Sequence, residues 1–270
     1  MDTSLNDKRA LITGAGDGIG REIALAMARD GATVAVHGRS LARIEVTLAA
    51  IKAEGGAAIP ALADLADEDA INAMCKETLG ALGGLDILVN NAGIYSIDDT
   101  STMTPETWKS ILNINLTAPF LVTRAVYSAL AESGSNASVI FISSIAADAH
   151  TSGWGAYAAS KNGLNAYMHC LADELGTHGA RVNSISPGWV ETKMAQDAHK
   201  DMAAAAGVDF DEAYNLNMRG NMLNALLTPD SIADMAVFLA SERGRFITAQ
   251  TLTVCGGNQP GSQIDDSNAE

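Results

Sequence analysis

Residues 9–20 of the chain read RALITGAGDGIG, an apolar run that leads directly into a glycine-rich turn. The apolar run predicts a strand, and the segment after the turn predicts a helix that stops near residue 30, before Gly31. Glycine lets a backbone approach a pyrophosphate closely, and a helix N-terminus offers unpaired N–H groups and positive potential. A turn in this strand-to-helix context therefore predicts a dinucleotide phosphate site. The glycines concerned are Gly14, Gly18 and Gly20.

Outward from this turn, short apolar runs alternate with longer segments of helical period. The predicted strands are 9–13, 33–38, 57–63, 85–91, 138–144, 180–188 and 250–257, and the helices after the first are 40–54, 67–82, 105–131, 156–178 and 228–242. This alternation predicts parallel strands joined by right-handed crossovers. The expected fold is α/β, a single Rossmann-like domain with a doubly wound parallel sheet over residues 1–260. Ligands bind such sheets beyond the carboxyl ends of the strands.

Two segments depart from the alternating pattern. Residues 191–227 are rich in Met, Asn and Ala and are long for a loop in a compact domain, which predicts a mobile lid. The alternative is an ordinary pair of surface helices. Residues 261–270 are polar and acidic and predict a flexible tail.

The composition excludes several classes of function. The chain has 270 residues, 47% of them hydrophobic, which predicts a large buried core and not a disordered protein. A net charge of −15 argues against nucleic acid and anionic membranes as partners. The three cysteines are far apart, so they predict no disulfide framework and no metal site. With no secretory signal or membrane span in the sequence, we expect a cytoplasmic protein.

Four polar residues are the candidate catalytic set. Tyr157 and Lys161 share one helix face, because residues four apart on a helix lie one above the other. Ser144 follows a buried strand thirteen positions before Tyr157, and Ser143 is the competing choice. Asn115 lies inside a predicted helix, where its side chain competes for backbone hydrogen bonds and so hints at a function.

Ordered motifs extend this pattern along the chain. They are TGAGDGIG at 13–20, NNAG at 90–93, NL at 115–116, SS at 143–144, YAASK at 157–161, PG at 187–188 and ITAQTLTV at 247–254. In these motifs and their spacing, the chain resembles the short-chain dehydrogenase/reductase family over nearly its whole length. The resemblance implies an oxidoreductase that transfers a hydride between NAD(P) and a secondary alcohol or ketone. Two departures are Ala249, where glycine is usual, and Cys255, where an acidic residue is usual.

The resemblance also implies roles for the four polar residues. Tyr157 would be the general acid in reduction and the base in oxidation, with a pKa lowered by the nearby Lys161 ammonium. Lys161 would also hold the nicotinamide ribose. Ser144 would hydrogen-bond the substrate oxygen and stabilise developing charge. Asn115 would hold a water that links Lys161 to solvent.

The cofactor-binding positions implied by the resemblance follow the carboxyl ends of the predicted strands. Besides the three glycines, Tyr157 and Lys161, they are Asp17, Ile19, Arg39, Asp64, Leu65, Asn90, Asn91, Ala92, Gly93, Pro187, Gly188, Val190 and Thr192. For Asp64, the sequence fits a helix N-cap equally well.

The choice between NADP and NAD depends on two conflicting residues. Strand two ends at Arg39, with no acidic residue to take a ribose 2′-OH, and Arg39 suits a 2′-phosphate. Asp17 opposes this reading, because a carboxylate near the 2′-phosphate would be repulsive. We favour NADP over NAD, since the missing acid and the available arginine are the more direct test.

Substrate contacts are expected from three residues near the catalytic set: His150, Trp154 and Trp189. The two indoles suit a ring-bearing or polyhydroxylated alcohol or ketone, although ordinary packing explains them equally well. The remaining alternatives are a non-catalytic dinucleotide-binding sensor and a 3-oxoacyl-thioester reductase. The resemblance further implies a homo-oligomer, a tetramer or dimer, that associates through the predicted helices 105–131 and 156–178.

Overall fold

The computed structural model describes residues 5–149, 151–218 and 221–258 of the chain. His150 and the predicted tail 261–270 therefore lie outside the described residues. The strands are β1 Arg9–Ile12, β2 Thr33–Gly38, β3 Ala57–Leu62, β4 Ile87–Asn90, β5 Ser138–Ile142, β6 Arg181–Pro187 and β7 Gln250–Val254. The helices are α1 Gly18–Arg29, α2 Leu41–Ala53, α3 Glu68–Leu82, α4 Pro105–Leu112, α5 Ala118–Ser133, α6 Gly155–Gly176, α7 Lys193–Ala206, α8 Phe210–Met218 and α9 Pro229–Ala240.

All seven strands are parallel and lie in the order β3-β2-β1-β4-β5-β6-β7. The predicted α/β fold with a doubly wound parallel sheet is confirmed. The chain leaves β1 in one direction to β2 and β3, and in the other direction from β4 to β7. A crevice opens between β1 and β4, where the order reverses, and this is the position at which such sheets bind nucleotides.

Apolar side chains cover both faces of the sheet, as expected for parallel strands. One face packs against α1, α2 and α9, through residues such as Ile23, Ile44 and Ile232. The other face packs against α3, α5 and α6, through residues such as Ile71 and Leu164. Within the described residues, no helix combines the length and hydrophobicity that a membrane crossing requires.

The predicted continuous helix 105–131 is wrong in one respect. A π-helical turn at Asn113–Thr117 separates α4 from α5. In an unbroken α-helix the amide at position 119 would donate to the carbonyl of Asn115, but Pro119 has no N–H. The side chain of Asn115 also reaches outside the helix for its own partners. The interruption lies at the residue for which we predict a catalytic role, as is frequent for π-turns.

The segment predicted as a lid, 191–227, contains the helices α7 and α8. Its two ends pair with each other: Glu191 N donates to Leu227 O at 2.8 Å, and Leu227 N donates to Trp189 O at 3.0 Å. The segment therefore leaves and rejoins the sheet at one place, beside the carboxyl end of β6. Thr192 begins α7 by accepting a hydrogen bond from Ala195 N.

Candidate active site

The glycines of the turn between β1 and α1 have no room for side chains. A Cβ added to Gly20 would lie 2.3 Å from Asn91 Nδ2 and 2.4 Å from Gly14 O. Gly14 itself has φ of +65°, a backbone conformation that favours glycine. The same Asn91 amide donates to Thr13 O at 2.9 Å and to Gly14 O at 3.1 Å. The loop after β4 thus fixes the turn, and the turn leaves its backbone open to the crevice.

The N-terminus of α1 is free to bind an anion. Asp17 occupies the N-cap position, but its side chain makes no capping hydrogen bond, and the first turn of α1 contains no acidic residue. The first backbone N–H groups therefore point out of the helix without a side-chain acceptor. Together with the helix dipole, they fit the pyrophosphate of a dinucleotide.

His37 is a residue of the site that the sequence reasoning missed. It is 2% exposed at the end of β2, and its Nδ1 accepts a hydrogen bond from Gly14 N at 3.0 Å. Its Nε2 lies 3.3 Å from Ala63 O, so the proton is on Nε2 and the ring is neutral. Burial lowers the pKa of His37 to about 4, against weaker opposing effects of the Ala63 carbonyl and the Asp64 charge. The HGR sequence that ends β2 is the signal that could have identified it.

A cavity of about 700 Å³ lies in the crevice, and two arginines line the end beside β2, where we expect the adenosine end of the cofactor. Arg39 follows β2, as predicted, and Arg43 lies one helical turn further along, in α2. Both side chains are exposed, and neither forms an ion pair with any described residue. Asp17 lines the same cavity and is also exposed. Two cations and one carboxylate thus surround this end, and Arg43 is the cation that the sequence did not indicate.

The predicted cofactor-binding residues form two groups: those that line the cavity and those that lie behind its wall. The residues that line the cavity are Gly14, Asp17, Gly18, Ile19, Gly20, Arg39, Asp64, Leu65, Asn91, Ala92, Gly93, Tyr157, Lys161, Pro187 and Thr192. Asn90 points away from it, since its buried amide donates to Thr123 Oγ1 at 3.2 Å. Gly188 packs against Cys255, which would lie 2.8 Å from an added Cβ, and Val190 is buried in the core.

Asp64 is not the N-cap of α3, the alternative that the sequence left open. That position belongs to Asp67, whose carboxylate accepts from Asp69 N and Ala70 N. The side chain of Asp64 accepts from Ala66 N at 3.0 Å in a local turn and lines the cavity.

Tyr157 lines the inner end of the cavity, and Ser144 lies next to it. The Ser144 hydroxyl hydrogen-bonds the Tyr157 phenol and also accepts from Ala146 N at 3.1 Å. Ser143 also lines the cavity, but it is 3% exposed, and its hydroxyl donates to the Lys161 carbonyl at 3.4 Å. Of the two serines, Ser144 is the one beside the phenol.

Lys161 lies one helical turn after Tyr157, with its ammonium 5.6 Å from the centroid of the phenol ring. Nζ donates to Ile142 O at 2.8 Å, and burial lowers the Lys161 pKa to about 8. For Tyr157, burial raises the pKa above its ordinary value, and the hydrogen bond with Ser144 opposes this only in part. In the chain alone, burial therefore sets the direction of the Tyr157 pKa shift, and the lowering by Lys161 and the oxidised cofactor stays a prediction.

The carboxamide of Asn115 connects three segments and is fully buried. Its Oδ1 accepts from Ile94 N at 2.8 Å, and its Nδ2 donates to Ile94 O at 2.8 Å and to Ser160 Oγ at 3.0 Å. A methyl-sized position on Gly93 would lie 3.4 Å from Asn115 Oδ1 and 3.5 Å from Lys161 Nζ.

Beside Tyr157, the rings of Trp154, Trp189 and Tyr95 pack together as an aromatic wall, and of these three residues Tyr95 lines the cavity. Trp154 lies in the centre, with its ring centroid 5.6 Å from Tyr157, 5.9 Å from Tyr95 and 6.2 Å from Trp189. The predicted substrate residues Trp154 and Trp189 are thus brought together beside the phenol, and Tyr95 is an addition that the sequence did not reveal. Trp189 in turn packs at 4.4 Å against the buried imidazole of His199 in α7.

Comparisons with known proteins agree over most of the chain. A family model described as short chain dehydrogenase matches residues 8–203. A 3-oxoacyl-[acyl-carrier-protein] reductase of Synechocystis sp. is 33% identical over 257 residues, which are 94% of this chain and 98% of that protein.

Solved structures give the same result. A short chain dehydrogenase from Burkholderia cenocepacia J2315 in complex with NADP has a TM-score of 0.84 and 33% identity, covering 94% of this chain and 98% of that one. A 7α-hydroxysteroid dehydrogenase complexed with NADH and 7-oxo glycochenodeoxycholic acid has a TM-score of 0.86 and 29% identity, covering 96% of this chain and 97% of that one. Relatives of this chain therefore bind either nicotinamide cofactor.

The buried neutral His37 predicts that the protein loses stability in mild acid. The His37 pKa is about 4 in the folded chain and has its ordinary value of 6.5 in the unfolded chain. Between these two pH values the unfolded chain therefore binds a proton at His37 that the folded chain does not. The His37 contribution is complete above pH 6.5 and is lost as the pH falls towards 4, by up to about 3 kcal/mol.

Urea unfolding at several pH values measures this effect. We expect His37→Leu to flatten the dependence of the unfolding free energy on pH in this window, whereas His169→Leu, at an exposed position, retains the wild-type slope. An unchanged slope in His37→Leu would mean that the acid sensitivity originates elsewhere.

Proposed function

The chain belongs to the short chain dehydrogenase family, and we propose that it transfers a hydride between NAD(P) and a secondary alcohol or ketone. The observation that carries this proposal is the contact of the Ser144 hydroxyl with the phenol of Tyr157, a residue that lines the cavity. The glycine turn and the free N-terminus of α1 fit the pyrophosphate of the cofactor at the other end. The cofactor, when bound, supplies or accepts the hydride.

Tyr157 is the proton donor of ketone reduction in this proposal. Its raised pKa keeps the phenol protonated, so it carries the proton that the developing alkoxide needs. Ser144 donates a hydrogen bond to the same oxygen and stabilises its charge. Lys161 remains largely cationic below its pKa of about 8 and holds a positive potential beneath the phenol. This charge favours the tyrosinate that is left after proton transfer.

Asn115 and Lys161 supply the route by which the proton is replaced. Asn115 Oδ1 and Lys161 Nζ face the same side of Gly93, since a Cβ added to that residue would lie 3.4 Å from the first atom and 3.5 Å from the second. Both donors of the Asn115 amide are engaged, so the residue contributes an acceptor here: Oδ1 or its backbone carbonyl, which Pro119 cannot cap. We place a relay water at this position, between Lys161 and solvent.

The proposed substrate is a ring-bearing or polyhydroxylated alcohol or ketone. The aromatic wall of Trp154 and Trp189 beside Tyr157 supports a flat apolar ring next to the reacting carbon. The 7α-hydroxysteroid dehydrogenase, whose structure holds a steroid ketone, is a relative with such a substrate.

The second candidate is a 3-oxoacyl-thioester reductase, because the Synechocystis relative is named for that activity. Carrier proteins and coenzyme A are anionic, and this chain has a net charge of −15. Asp98, Asp99 and Asp201, moreover, lie on the segments that border the aromatic wall. The charge therefore favours a substrate without such a carrier. A cofactor-binding sensor is disfavoured, because Ser144, Tyr157 and Lys161 are all present, and Ser144 and Lys161 both lie near the Tyr157 phenol.

We propose that the protein is cytoplasmic and forms a homo-oligomer. Its cysteines, Cys75, Cys170 and Cys255, are all free thiols, which suits a reducing compartment. Trp108 and Phe120 are each 41% exposed on α4 and α5, and Phe120 packs edge-on against Tyr167 of α6. This apolar surface supports association through α4 to α6, as a dimer or within a tetramer.

Removal of the Tyr157 hydroxyl tests the proposal. Wild-type protein is incubated with NADPH or NADH and a panel of cyclic ketones, ketoses, ketosteroids and acetoacetyl-CoA, and the absorbance of the reduced cofactor is followed. We expect Tyr157→Phe to lower kcat by about a hundredfold or more while cofactor affinity is retained, because only proton transfer is lost. Tyr127→Phe, on α5, is the matched control with unchanged kcat.

Full activity in Tyr157→Phe would contradict the mechanism. Cofactor binding by the wild type with no turnover of any panel member would favour the sensor instead, and turnover of acetoacetyl-CoA alone would favour the thioester reductase.

The arginines at the adenosine end predict a preference for NADPH. Arg39→Ala and Arg43→Ala are each expected to raise KM for NADPH by about tenfold, since a charge-assisted hydrogen bond to the 2′-phosphate is lost. The KM for NADH should stay within about twofold. Arg124→Ala removes an exposed arginine far from the cavity and controls for net charge. An unchanged ratio of kcat/KM for NADPH and NADH in both variants would contradict this role.

A further inference from the structure

Tyr95 links the inner aromatic wall to the α7–α8 segment. Its ring stacks on Trp154 with centroids 5.9 Å apart and an interplanar angle of 23°, and Trp154 contacts Tyr157. Tyr95 also lines the cavity. Tyr95 and Tyr157 therefore line the same cavity, and Trp154 packs against both of their rings.

The backbone on both sides of Tyr95 is held by the rest of the protein. Ile94 is bound at its N–H and its C=O by the Asn115 amide. Three residues after Tyr95, Asp98 N donates to Gly153 O at 2.9 Å. The backbone at Tyr95 is thus held in place. The position of the phenol ring therefore depends on the contacts of the side chain itself.

The hydroxyl of Tyr95 is bound from the opposite side by α7. It donates to Asp201 Oδ2 at 2.8 Å. Burial, the hydrogen bond with Asp201 and the charges of Asp201 and Asp197 all raise the Tyr95 pKa, so the phenol remains a donor. On the same helix Lys193 and Lys200 both pair with Asp197, and among the described residues Asp201 forms no ion pair. Its carboxylate is therefore left to accept from Tyr95.

We infer that Tyr95 determines which substrates the pocket accepts, and that Asp201 positions it by fastening its hydroxyl to α7. The inference rests on the proposed hydride-transfer function, because it assigns the outer wall of the same site. Tyr95 limits the width of the pocket next to Trp154, and the bond to Asp201 holds α7 over the bound ring. Asp201 acts through Tyr95 and is a positioning residue.

A double-mutant cycle separates this assignment from independent effects of the two residues. The variants are Tyr95→Phe, which keeps the ring, Asp201→Ala, and the pair; Asp211→Ala on α8 removes the same charge as a control. Each single variant is expected to raise KM for a ring-bearing ketone by about fivefold, with kcat changed less, and the double variant to match a single one. Additive effects, or a KM unchanged in both single variants, would overturn the inference.

Amide hydrogen exchange of residues 193–206 measures how firmly the hydrogen bond between Tyr95 and Asp201 holds α7, and it requires no catalytic turnover. Exchange is expected to be about fivefold faster in Tyr95→Phe and Asp201→Ala than in the wild type and the control. Equal exchange in all four proteins would overturn the fastening even if the enzyme is active. Accelerated exchange in a protein that reduces no ketone would instead mean that the proposed function is wrong while the contact is real.

The width of the pocket is tested by Tyr95→Ala. The ratio of kcat/KM for a bulky cyclic ketone to that for cyclohexanone is expected to rise at least about tenfold, since the ring that limits the pocket is gone. An unchanged ratio, with kcat/KM for cyclohexanone retained, would remove Tyr95 as the residue that sets selectivity.

Discussion

The buried carboxamide of Asn115 is the contact on which the arrangement of the site depends. With three hydrogen bonds it ties the loop after β4 to the π-turn and to Ser160 of α6. The loop carries Gly93 and Tyr95, and α6 carries Tyr157 and Lys161. Loss of this amide would leave buried partners unsatisfied on both sides, which costs more than the bonds themselves contribute. One side chain thus connects the loop that carries Gly93 and Tyr95 to the helix that carries Tyr157 and Lys161.

Burial is the second constraint, and it acts in opposite directions on the two titrating residues of the pair. It raises the pKa of Tyr157 and lowers that of Lys161 to about 8. Both shifts favour neutral forms, so the chain by itself does not stabilise a tyrosinate. The phenol is therefore suited to give up a proton only when charge develops nearby, as it does on a carbonyl oxygen during reduction. The loss of the Lys161 charge near pH 8 would then remove the support for the tyrosinate.

Much of the fold and part of the site could be predicted from the sequence, because the signals were local. Alternating apolar runs predicted the parallel sheet, and the spacing from Ser144 to Lys161 predicted residues that the structure brings together. The π-turn was missed, although Pro119 removes the donor to Asn115 and a search for that pair would have indicated it. His37 was missed because its partner Gly14 lies 23 residues away and the bond forms only after β1 and β2 pair.

The contact between Tyr95 and Asp201 could not be predicted in this way. The two residues are 106 positions apart, and neither has a local pattern that refers to the other. Similarly, the NNAG motif contains two consecutive asparagines, and the sequence does not show that their side chains point in different directions at the end of β4. Asn90 faces Thr123 in the interior, whereas Asn91 faces the glycine turn. Contacts of this kind depend on packing between distant segments.

Isotope transfer tests the central claim, direct hydride transfer at this site, most directly. NADPH carrying deuterium at C4, in the 4R and the 4S form separately, is incubated with the enzyme and a ketone that it reduces, and the alcohol is analysed by mass spectrometry. The account predicts deuterium on the carbinol carbon from one of the two forms and none from the other, because the cavity holds the cofactor in one orientation. Alcohol without deuterium from either form would contradict the account.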